Sequence, residues 1–67
     1  MSYVLTARQA YEREVSAIEQ ASAARGGCDA QAYDCADYAL AAVGDNGSPD
    51  EFIEAYWRER DAREHEG

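Results

Sequence analysis

Lysine is absent from the 67 residues, and histidine, proline, phenylalanine and tryptophan occur once each. No apolar run approaches the roughly 18 residues of a membrane span, and the start of the chain lacks the basic-then-apolar order of a signal peptide. Six arginines face fourteen acids, giving a net charge of −8. Binding phosphate requires a basic patch, so this balance excludes nucleic acid and anionic membrane as direct partners. It points instead to a basic protein partner, with solubility as the competing use of the acids.

Chemistry-bearing residues are equally scarce. The single histidine, His65, sits in a charged C-terminal stretch where a general base has neither burial nor an orienting partner. Cys28 and Cys35 lie seven apart, and on one helix that is about 10 Å of rise, too far to bridge. A disulfide would need Cys28 in the preceding turn. The expectation is two free thiols, with Cys35 packed among Ala32, Ala36 and Ala39 and lacking a cation to activate it. Cys28, Cys35 and His65 match no zinc spacing, and Asp45-Asn46-Gly47 with Asp50 and Glu51 lacks the alternate ligands of a calcium loop. No glycine-rich phosphate loop is present. We therefore expect no enzyme, no metal and no cofactor.

Large aliphatic side chains are few, and alanine makes up much of the hydrophobic content. A chain this short buries only about 60% of its unfolded surface, so the core will be small. A second copy or another partner would supply further burial, and a homodimer is one expectation.

What is present is a set of helix signals, and we expect one all-α domain over 1–67, a small three-helix bundle. Thr6 and Gln9 fit a capping box, opening a helix over 7–25 whose inner face is Tyr11, Val15, Ile18 and Ser22, ended by Gly26-Gly27. Tyr3 to Leu5 would fold back as an extended entry. Asp29 caps a second helix over 30–43, stopped by Gly44, with Tyr33, Ala36, Leu40 and Val43 inward and Ala32 and Ala39 beside them. Gly44 to Gly47 is a turn by composition. Ser48, Pro49 and Glu51 then start a third helix over 49–64, which would bury Phe52, Ile53, Tyr56 and Trp57 and turn Glu51, Glu54 and Arg58 outward. Residues 63–67 read as a candidate disordered tail.

Between Arg25 and Arg58 there is no base, and that interval holds Asp29, Asp34, Asp37, Asp45, Asp50, Glu51 and Glu54, with Tyr38 adjoining. These eight residues are the candidate partner-binding set. Carboxylates one helical turn apart, about 5–6 Å, approach the spacing of phosphates along DNA, so such a face fits an arginine- and lysine-lined channel. By size, acidity and lack of catalytic machinery, the chain resembles the small inhibitors of phages and mobile elements, including anti-CRISPR proteins and DNA mimics. That resemblance implies inhibition of a nucleic-acid machine, such as a CRISPR effector, in the host cytoplasm. The alternative is a structural or assembly protein that self-associates through uncovered Trp57 or Tyr56 on the third helix.

Overall fold

The computed structural model describes residues 6–27 and 29–66. Three helices form the expected all-α bundle: α1 (Ala7–Arg25), α2 (Ala30–Val43) and α3 (Pro49–Glu66). The third continues two residues past the end expected for it, so Arg63 to His65 form part of its last turn. The expected entry at Tyr3 to Leu5 lies outside the described residues, as does Cys28. Among the described residues, no helix is long and apolar enough to cross a membrane.

The helix boundaries follow from local chemistry. Thr6 is extended, its hydroxyl accepts from the Gln9 amide at 3.3 Å, and Gln9 Oε1 accepts from the Thr6 amide at 3.2 Å, which completes the capping box. At the other end of α1, Gly26 adopts φ +74°, a left-handed conformation that costs glycine little. The Gly26 amide then reaches the Ala23 carbonyl and the Gly27 amide reaches the Ser22 carbonyl, closing a Schellman cap. Asp29 accepts from the Ala32 amide and starts α2. On α3, Ser48 Oγ accepts from the Asp50 amide at 3.2 Å, whereas Glu51, expected to complete a box, is exposed.

The turn between α2 and α3 also closes α1. The Ala7 amide donates to the Gly47 carbonyl at 2.8 Å and the Arg8 amide to the Asp45 carbonyl at 3.2 Å. Two amides that a helix start ordinarily leaves to solvent are thus satisfied by a distant part of the chain.

The core consists of Ala7, Ala10 and Ile18 of α1, Ala32, Cys35, Ala36 and Ala39 of α2, and Phe52 and Tyr56 of α3. Phe52 and Tyr56 are its largest members, stacked at 6.2 Å, with Tyr11 edge-on to Phe52. Two expectations are corrected here. The inner face of α2 is rotated toward Cys35, leaving Tyr33, Leu40 and Val43 only partly buried at the core's margin. Two full rings from α3 require small side chains opposite them, and α2 provides three alanines and a cysteine. On α3, Ile53 and Trp57 lie outside the core, 36% and 53% exposed. Phe52 and Tyr56, four residues apart, already fill the available space, and their neighbours point about 100° further round the helix.

Candidate partner-binding face

The candidate acids occupy separate environments. Asp29, at the start of α2, accepts from the Ala32 amide at 3.1 Å and also faces Arg25 at 3.5 Å and Arg60 at 3.8 Å. The amide bond foremost, aided by the two arginines, holds its carboxyl below the usual carboxylate range. Its role in folding is therefore visible without a partner.

Asp34 and Asp37 were expected to share one side of α2, but they turn toward different neighbours. Asp34 is widely exposed and meets Arg63 of α3 at 3.6 Å. Asp37 accepts a 2.6 Å hydrogen bond from the Tyr11 hydroxyl of α1, and that bond pushes the Tyr11 phenol above its ordinary value. Tyr38, also on α2, is 55% exposed.

Asp45 lies in the turn beside α1, its carboxylate 3.6 Å from the Arg8 guanidinium. Asp50 and Glu51 occupy the first turn of α3, where the helix dipole favours negative charge. Glu54 is exposed and pairs with Arg58 at 2.6 Å. A shallow groove between α2 and α3 brings Glu51, Glu54 and Arg58 beside Ala42, Val43 and Ala55. Asp50 instead borders the α1–α3 side with Arg13 and Ile53.

Sequence spacing could not show the arginines that return to this acidic interval. Arg63 reaches Asp34, Arg60 reaches Asp29 and Arg8 reaches Asp45, all across separate elements. The Arg8–Asp45 pair is solvent-exposed on both sides, Arg63 and Arg60 are half-buried, and the Asp34 and Asp45 carboxylates remain open to an incoming cation. The net charge is unaffected, and it is unevenly placed. In α1 three arginines balance three glutamates; residues 29–48 carry four aspartates and no base; from Pro49 onward seven acids face three arginines. The excess of −8 resides entirely on α2, α3 and the turns that adjoin them.

Cys35 is buried and free, and burial pushes its thiol above the ordinary value, which disfavours the nucleophilic thiolate. His65 is exposed and contacts Asp61 one turn earlier on its own helix. Among the described residues, no group of three His, Cys, Asp or Glu side chains is placed to hold a metal ion. No protein-family model, curated protein or solved structure matches this chain.

Proposed function

We propose that the protein is a non-enzymatic inhibitor of the DNA-mimic or anti-CRISPR kind, acting in a host cytoplasm by docking its α2–α3 side on a basic protein surface. The observation that carries this reading is the segregation of charge: α1 is neutral, and all of the −8 excess lies on the other two helices and their turns. A one-sided field orients the molecule as it approaches a basic groove and speeds the encounter. Glu51 and Glu54, one turn apart and outward, with Asp34 and the exposed Tyr38, are the residues assigned to the contact. Asp29 and Asp37 stabilise the fold and are secondary to it.

The test is displacement. Host DNA-binding proteins are loaded on immobilised duplex DNA, and the protein or its Asp34→Asn, Glu51→Gln, Glu54→Gln variant is added. The wild type should release a small set of basic proteins, and the variant, with helix content unchanged, should need at least about tenfold more protein for the same release. Equal release by both, or none by either, would refute the reading.

A further inference from the structure

We propose that the α1–α3 side, where the neutral α1 lies beside exposed apolar side chains of α3, is a docking surface for a second copy of this chain across a two-fold axis. Ile53 and Trp57 are the exposed large hydrophobic side chains of α3. On α1 the exposed Ala17, Ala21 and Ala24 line a groove against Tyr56 and Arg60, the two residues that Trp57 contacts. A second groove with Ala10, Pro49 and Ile53 adjoins it, and Glu14 and Ala17 line both. Small side chains along such a depression let the axis of another helix come close.

Trp57 is held ready for contact. Its ring stands edge-on to Tyr56 at 5.0 Å, and the Arg60 guanidinium lies 5.5 Å from its centre. A large aromatic already fixed by its neighbours loses little side-chain freedom on binding. Among the described residues the interior contains few large fully buried side chains, Tyr56 and Phe52 foremost, and the Cα envelope is 31 × 30 × 14 Å. A slab two helix layers thick has a broad face to cover and gains apolar burial when that face is paired.

Charge selects the occupant. A basic partner is drawn to the side where α2 and α3 lie together, whereas α1, which supplies most of the proposed surface, has no net charge, so a second copy meets the least repulsion there. The α1 side is also self-complementary. Arg13 makes no ion pair among the described residues, and the groove it borders contains the carboxylates of Glu14 and Asp50. A two-fold axis places each Arg13 opposite the acids of the other copy.

Sedimentation equilibrium over a concentration series tests this surface independently of the displacement experiment. The wild type should form dimers that hold or tighten as salt rises, because salt screens the repulsion between two copies of charge −8. Ala21→Glu and Trp57→Ser should each weaken the dimer at least about tenfold while helix content stays unchanged. Ala21 is exposed, so its variant reports on the surface if Trp57→Ser perturbs folding. Arg13→Glu and a Glu14→Arg, Asp50→Arg chain should each dimerise more weakly alone than they associate when mixed. A wild type that stays monomeric to about 1 mM, a dimer indifferent to Ala21→Glu, or a mixed pair that does not associate would overturn the proposal.

Discussion

Ser22 is packed on the inner side of α1, and its hydroxyl oxygen meets no hydrogen-bond partner among the described residues. An unsatisfied buried hydroxyl is costly, and serine is a poorer helix former than alanine. Ser22→Ala should therefore stabilise the fold by about 1 kcal/mol, raising the melting temperature by roughly 4–8 °C in a domain of this size. A lower melting temperature would show that the hydroxyl has a partner in solution. At this scale much was legible in the sequence. Thr6 with Gln9, and Asp29, act as caps because a side-chain oxygen followed at fixed spacing by a free amide is a local arrangement. The partners of Asp34 and Asp37 were not legible, since Arg63 and Tyr11 come from other helices and reach α2 only after it packs.

Gly47 shows how a single element depends on the whole. A side chain there would collide with Val43, both its Cγ1 and its carbonyl oxygen, in the turn whose backbone closes α1. Gly47→Ala should destabilise the protein by about 1–3 kcal/mol in urea unfolding, through displacement of the turn and loss of the Ala7 amide's partner. An unchanged midpoint would mean that the turn does not hold α1. Helix existence and start positions were readable because caps and glycine stops lie within a few residues of one another. Which stripe of each helix faces inward was read less well. Tyr33, Leu40 and Val43 look like the core of α2, yet Phe52 and Tyr56 select the alanine and cysteine side. On α3 the apolar stripe divides, with Phe52 and Tyr56 inside and Ile53 and Trp57 outside. Hydrophobicity alone cannot rank neighbouring positions when a core has room for two rings.

For the molecule as a whole, the acidic interval read from the sequence is not one continuous patch. Asp29 and Asp37 are engaged in folding, Asp45 lies beside Arg8, and Asp34, Glu51 and Glu54 remain exposed on α2 and α3. The neutral α1 lies apart from that excess, as counting charges along helices whose bounds are fixed makes plain. The two proposed associations would respond to salt in opposite ways. A contact between α2–α3 and a basic surface would be electrostatic and screened, while apolar contact between like-charged copies would not be weakened by salt.

The most direct measurement is the affinity of the purified protein for a basic protein released in the displacement experiment, followed from about 50 to 500 mM NaCl. The account predicts an affinity that falls steadily across the range, with a shallower slope for the Asp34→Asn, Glu51→Gln, Glu54→Gln variant. An affinity that is flat or rises with salt, or a slope that the three substitutions leave unchanged, would contradict it.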